Sequence, residues 1–324
     1  MSALHMANVA KQKIETSIKN GFHSGVKSAL WMCKMMIPIT LAVAILKWVG
    51  VIEFLSRVLS PAFEMIGLSG QAVIVFLTNT LSNLYSGIAV IATLNLDFRQ
   101  ATILAVMGLI CHNLIVETIV QRKAGSNGWF IASLRIVTAL VAGFVLNRIM
   151  PIDYSGTLII ENTTPAVTFA AIISEWGWSL IKLIPMMFAL IVALNILQQM
   201  LREFKLIDAL TIPLLPLIKI LGLGRETSFL WIVLNTLGLA YGGAVMIAEL
   251  DRGDIAPRSA AELNTSAAIT HSLLEDTLIF VAIGLNPLWL IVPRMVLSIG
   301  AVWGQKLYYR IKDRRKNKLI IDCR

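Results

Sequence analysis

Eight predominantly apolar stretches dominate the chain, each close to the ~20 residues with which an α-helix crosses a hydrocarbon core of about 30 Å. They run at about 28–50, 71–94, 100–121 and 128–150 in the first half, and at about 177–201, 227–249, 258–283 and 286–309 in the second. Lipid offers no partners to a bare backbone, so segments of this length must be helical. Hydrophobic residues make up 57% of the chain and charged ones 15%, against roughly 25% charged in a soluble fold. The expected class is an all-α polytopic membrane protein. Basic residues gather at the two ends: Lys11, Lys13, Lys19 and Lys27 in front, then Lys306, Arg310, Lys312, Arg314, Arg315, Lys316 and Lys318 behind. Basic flanks stay on the cytoplasmic side, which predicts both termini inside a cytoplasmic (inner) membrane. The first apolar run begins near Ala29 and is long enough to remain as a span, so no cleavable leader is expected. Cys33, Cys111 and Cys323 are too scattered for a disulfide framework or a zinc spacing.

The two halves carry the same motifs. Asn79-Thr80-Leu81-Ser82-Asn83-Leu84-Tyr85-Ser86-Gly87 aligns with Asn235-Thr236-Leu237-Gly238-Leu239-Ala240-Tyr241-Gly242-Gly243. Farther on, Cys111-His112-Asn113-Leu114-Ile115-Val116-Glu117-Thr118 aligns with Thr270-His271-Ser272-Leu273-Leu274-Glu275-Asp276-Thr277, and the same register carries Arg135 onto Arg294. Ile37-Pro38 answers Ile184-Pro185. The domain plan is therefore an N-terminal cytoplasmic segment 1–27 with a partly helical amphipathic rhythm, repeats at 28–150 and 176–309, a linker 151–175 and a basic tail 310–324. The linker holds Asp153, Glu161 and Glu175 and no Lys or Arg, which suits the outer face.

With the N-terminus inside and the linker outside, each repeat crosses an odd number of times, and an odd repeat is an inverted one. Four candidates per repeat cannot all cross, so one in each must enter and return. The expected re-entrant hairpins are 71–94 and 227–249, since half-helices of about 11 residues at 1.5 Å each reach roughly halfway. Each repeat then has about three crossings plus one hairpin.

Asn79, Thr80, Ser82, Asn83, Tyr85 and Ser86 at one tip, with Asn235, Thr236 and Tyr241 at the other, offer amides and hydroxyls that can replace a solute's hydration shell. The same residue types also pack membrane helices closely. Ionisable groups inside apolar segments are costly and call for a reason. His112, Glu117, His271, Glu275 and Asp276 suit a proton or cation relay, while Arg135 and Arg294 suit structural ion pairs with Glu117 and Asp276. His112 and Glu117 stand at i, i+5, as do His271 and Asp276. Such pairs diverge on a regular helix and converge only if it is interrupted nearby. One His and one carboxylate per repeat is a weak metal set, and the identity of any metal stays open.

No phosphate-binding loop, nucleophile elbow or H-E-x-x-H pair occurs, so no enzyme and no cofactor are expected. The tryptophans sit mostly near span ends, as an interfacial belt. The expected partners are the lipid bilayer and a small polar solute or cation, without nucleic acid; a homo-oligomer is compatible with the sequence.

The paired Asn-Thr…Tyr…Gly and His…acid segments resemble the Gate-domain family, also called nucleoside-recognition domain proteins, over about residues 28–305. That family includes spore maturation proteins A and B and the membrane cores of ferrous-iron permeases, and it is similar in design to concentrative nucleoside transporters. The resemblance implies an amphipathic segment, a re-entrant hairpin and an interrupted helix at 51–68, 71–94 and 100–121, and again at 202–225, 227–249 and 258–283. The chain departs from ferrous-iron permeases in lacking a G-protein domain, and from spore maturation proteins in fusing two Gate units; the ligand residues of nucleoside transporters have no one-to-one match. The expected function is a secondary transporter of a small polar solute, nucleoside-like or other, with a midplane site. A divalent-metal permease and a non-transporting scaffold or regulator are the competing readings.

Overall fold

The computed structural model describes residues 3–92, 94, 96–156 and 168–322. The linker residues Glu161, Asn162, Thr163 and Thr164, and Cys323 in the tail, lie outside them. The described residues form helices and no strand. In the first half the helices are α1 (Ala3–Trp48), α2 (Val51–Glu64), α3 (Ala72–Leu81), α4 (Leu84–Ile91), α5 (Phe98–Cys111), α6 (Leu114–Lys123) and α7 (Gly128–Ile149). The second half gives α8 (Phe169–Glu203), α9 (Leu206–Ile220), α10 (Ser228–Thr236), α11 (Gly238–Arg252), α12 (Pro257–Thr270), α13 (Leu273–Ala282) and α14 (Pro287–Asp322). Seven elements thus recur in the same order, each second-half helix answering the one seven places earlier. Among the described residues, the runs Phe98–Lys123, Gly128–Ile149, Phe169–Glu203 and Pro287–Arg315 are long and apolar enough to cross a membrane. The fold is that of an all-α membrane protein.

The first and last helices are longer than the apolar runs inside them. The N-terminal segment is helical from Ala3 and continues without a break into the first apolar stretch, and the basic tail prolongs α14. No proline intervenes at either junction, and Gly21 and Gly25 lie inside α1 without ending it, so hydrogen bonding simply propagates. Pro38, Pro185 and Pro293 are carried inside long helices, as buried membrane helices allow when neighbours satisfy the freed carbonyl.

Helices that correspond by sequence run antiparallel. Along α1 and α8, Lys13 Nζ donates to the Glu203 carbonyl, Gly21 abuts Ile196, Gly25 abuts Val192, Trp176 Nε1 donates to Thr40, and Trp48 meets Phe169. At Gly25 a Cβ would stand 2.7 Å from the Val192 Cα, so the two backbones approach as closely as only a glycine permits. Helices α7 and α14 run the same way: Ile149 shares an apolar groove with Leu288, and Phe130 shares a cavity with Tyr308.

The 71–94 and 227–249 stretches do not run straight. Helix α3 ends at Leu81, and α4 starts after Asn83, whose side chain accepts from the Ser86 amide at 3.0 Å as an N-cap. The chain turns back there: a Cβ on Gly87 would overlap the Asn79 side chain, eight residues earlier. In the second half Gly238 takes φ +82°, and a Cβ on Gly242 would lie 2.9 Å from the Leu234 Cα. Eight residues of straight helix would separate these partners by about 12 Å. Helix α4 spans eight residues, far short of the ~20 that a crossing needs.

Candidate functional site

The site grows from two helix interruptions. Helix α5 stops at Cys111; His112 is extended at ψ 159°, and Asn113 is left-handed at φ 46° before α6 begins. Helix α12 stops at Thr270; His271 has ψ 157°, and Ser272 has φ 53° before α13 begins. Left-handed backbone costs a non-glycine residue roughly 1–2 kcal/mol, so something must hold it. Each break is tied to the tip of its own hairpin: the Asn113 amide donates to the Asn79 carbonyl, and the Ser272 amide to the Leu234 carbonyl, both at 2.9 Å.

The arginines complete each break. Arg135 Nε donates to the Ile110 carbonyl at 2.8 Å and Nη2 to the His112 carbonyl at 2.7 Å. Arg294 does the same to Ile269 at 2.9 Å and His271 at 2.7 Å. An interrupted helix leaves carbonyls unpaired at its C-terminal end, where a cation is also favoured by the dipole. Both guanidinium groups are fully buried, which makes them structural plugs for α5 and α12, and each keeps an unpartnered Nη1.

The two breaks face one another. His112 and His271 have ring centroids 5.1 Å apart. Glu117 lies between them, with Oε1 3.1 Å from His112 Nε2, and Oε2 3.1 Å from His271 Nε2 and 2.6 Å from Arg135 Nη2. Neither Oε2 contact has hydrogen-bonding geometry, and His271 Nε2 has no hydrogen-bond partner despite its burial. Asp276 Oδ2 stands 3.7 Å from His112 Nε2. Glu275 points elsewhere and accepts from Gln198 Nε2 at 2.7 Å. The i, i+5 spacing converges because the helix is interrupted between His112 and Glu117.

The tautomers follow from the backbone. His112 Nδ1 lies 3.0 Å from the Gly108 carbonyl and His271 Nδ1 2.7 Å from the Ala267 carbonyl, and a carbonyl only accepts, so each Nδ1 carries the proton. On a neutral ring the Nε2 lone pair is then left facing a carboxylate. Two lone pairs at 3.1 Å repel unless a proton or a metal ion lies between them. One donor atom each from His112, Glu117 and His271 lies within 4.8 Å of the others, which is also the spread of a small metal site.

The hairpin residues divide. Asn79 is fully buried with neither amide atom partnered, in a slot made by Gly87 and Gly108. Asn83 caps α4 by accepting from the Ser86 amide, Ser82 Oγ bonds Ser86 Oγ at 3.3 Å, and Thr80 donates to the Phe76 carbonyl. Tyr85 is buried, within electrostatic reach of Glu275 and Asp276. Asn235 donates to the Trp231 carbonyl and Thr236 to the Ile232 carbonyl, and both line an apolar groove of about 400 Å³. Tyr241 is 44% exposed beneath the Arg202 guanidinium and stands apart from the cluster. The backbone contacts pair Asn79 with Leu234 and Gly87 with Gly242, one residue out of the sequence alignment. Hence Asn235 does not occupy the place of Asn79. Gln198, which holds Glu275, was invisible to motif reading; its only signal was an amide inside an apolar run.

A family model described as Gate, nucleoside recognition, matches residues 29–126, the first repeat. The chain is 31% identical over 276 residues to the uncharacterized membrane protein YvoD of Bacillus subtilis (strain 168), covering 83% of this chain and 87% of that one. No solved structure matches the chain. Through that family model and an identity extending over most of both proteins, the chain belongs to the Gate, or nucleoside-recognition, family of membrane proteins.

Proposed function

We propose that the chain is a cation-coupled secondary transporter of a small polar solute in the cytoplasmic membrane, not an enzyme. Both termini face the cytosol, and the two repeats are inverted with hairpins that enter and return. One observation carries this reading: two imidazoles whose Nδ1 protons are committed to carbonyls turn their Nε2 atoms on Glu117, where lone pairs would meet a carboxylate unless a cation lies between them. Such a cluster is stable when it holds a cation, and releasing that cation changes the electrostatics of both breaks at once. Because each break is bonded to a hairpin tip, cation binding is mechanically linked to the hairpins. Asn79, with two unpartnered amide atoms at the first tip, is the leading solute contact. Alternating access then follows from one bundle rocking against the other.

The test uses reconstituted protein. A thermal-shift screen of nucleosides, small organic anions and divalent metals identifies the ligand, since anything that binds only the native state raises the melting temperature. With the ligand in hand, Glu117→Gln and Asp276→Asn are expected to fold and insert normally yet lose coupled uptake. Normal coupled uptake by both variants would contradict the reading. A second reading, a divalent-metal permease, is favoured by the convergence of His112, Glu117 and His271 donors. Purified protein should then retain stoichiometric metal by mass spectrometry, and His271→Ala should lose it. Metal-free protein that still transports would exclude that version.

A further inference from the structure

The two halves share a backbone plan but not a polarity. The register that superposes His112 on His271 sets α5 against α12 residue by residue. Helix α12 buries Glu262, Asn264, Thr265, Ser266 and Thr270 where α5 buries Ile103, Ala105, Val106, Met107 and Cys111. Burial is alike on both sides, so exposure does not explain the difference. Burying a polar group costs about 1–3 kcal/mol unless it is bonded, and a chain that could use Ala or Val at these positions uses amides and hydroxyls instead.

Two of those groups point to a path. Gln121 on α6 and Asn264 on α12 are both fully buried and clasp one another across the repeats. Gln121 Nε2 donates to the Asn264 carbonyl at 2.9 Å; Asn264 Nδ2 donates to the Gln121 carbonyl at 3.3 Å and to the Ala124 carbonyl at 2.8 Å. All their donors thus face the backbone, yet both side-chain oxygens, Gln121 Oε1 and Asn264 Oδ1, have no partner. Gln121 lies four residues, about 6 Å, beyond Glu117 on the same face of α6. Asn264 lies two turns before His271 on α12. Just past Ala124, a cavity of about 680 Å³ opens between the loop Gly125–Asn127, Ala261 of α12 and Gln305 and Lys312 of α14. That end of the molecule is the basic one: Lys306 pairs with Glu262 at 3.3 Å, and Arg258 with Asp313 at 3.0 Å.

The counterpart route from Asp276 is closed. The position equivalent to Gln121 is Phe280, and that equivalent to Asn264 is Ala105, both fully buried in the apolar core.

We propose that Gln121 and Asn264 form a one-sided polar gate, through which water and the coupled cation pass between the vestibule on the basic side and Glu117. The opposite approach is sealed at Phe280. The orphaned oxygens are acceptors placed for a passing proton, hydrated or bare cation, or water, and the clasp of donors keeps the pair closed at rest. The proposal rests on the central cluster being a cation site, but its test needs no substrate and so can fail separately from that reading.

The full chain, carrying Cys33→Ser, Cys111→Ala and Cys323→Ser, is given single cysteines and reacted in sealed vesicles of both orientations with a small charged methanethiosulfonate. Ser126→Cys in the vestibule reports which face is being probed. Gln121→Cys is expected to react from that face at least an order of magnitude faster than from the other, whereas Phe280→Cys reacts from neither. Asn264→Cys provides the same readout if Gln121→Cys does not fold. The proposal is overturned if the gate cysteines react from neither face, if they react equally from both, or if Phe280→Cys reacts from the face opposite Ser126→Cys.

Discussion

The two helix breaks and the two hairpins are equally products of the repeat, yet they have kept different things. At the breaks, Arg135 and Arg294 make the same pair of carbonyl bonds, His112 and His271 the same Nδ1 bond, and Asn113 and Ser272 the same left-handed turn. At the hairpins, the return is kept, but its register has slipped by a residue and its side chains serve different ends. Asn79 is sandwiched by glycines, while Leu234 stands in its place. Interrupting a helix inside lipid leaves carbonyls that only a specific donor satisfies, so the solution cannot drift. A hairpin needs only a close approach, and many side chains permit one. The lesson is that the breaks are the invariant machinery and the hairpin tips the variable surface, where solute recognition can differ between halves.

That contrast gives sharp expectations. The largest effect belongs to Arg135→Ala, which strands the buried Glu117 carboxylate at a cost of about 3–5 kcal/mol, followed by Arg294→Ala, which strands two buried carbonyls at about 1–3 kcal/mol each. Thermal unfolding in detergent should find both variants clearly destabilised; a near-neutral Arg294→Ala would break the equivalence of the breaks. Next come Gly87→Ala and Gly242→Ala, overpackings that cost about 1–3 kcal/mol. Gly242→Ala should be the worse, because its obstacle is the Leu234 backbone, whereas Gly87 meets the end of the Asn79 side chain. Equal losses would mean that the hairpins are tighter copies than their contacts indicate. Ser272→Gly should stabilise by up to about 1 kcal/mol by relieving left-handed backbone, with Asn113→Gly gaining less because Asn tolerates that conformation. The smallest effect is at the exposed Tyr241: Tyr241→Phe should stay within about 0.5 kcal/mol of the parent.

Much of this arrangement is legible in the amino-acid sequence. Apolar length marks four segments in each half, and the motif repeat pairs them; the division into seven helices per half is seen only in the structure. The i, i+5 spacing of His112 and Glu117 lets the pair converge only if the helix is interrupted nearby, and the structure supplies that break at His112 and Asn113. What the sequence hides is long-range. That Glu117 of one repeat should stand 3.1 Å from His271 of the other depends on how the halves pack, and no local pattern carries it. The continuation of the N-terminal segment into α1 was hidden by its lysines, which mark a span boundary for lipid but do not stop a helix. The clasp of Gln121 and Asn264 was present only as a mismatch between aligned repeats, polar in one and apolar in the other. The hairpin slip was obscured because Gly242 and Gly243 are adjacent, and either could match Gly87 in an alignment.

The most direct test of a cation held at His112, Glu117 and His271 is nitrogen-15 NMR of the histidine rings in bilayers at neutral pH, assigned with His112→Gln and His271→Gln. Both Nδ1 atoms should be protonated, and at least one Nε2 should carry the shift of a protonated or metal-bound nitrogen. Two Nε2 atoms with bare lone pairs would contradict it, since Glu117 would then face them with nothing between.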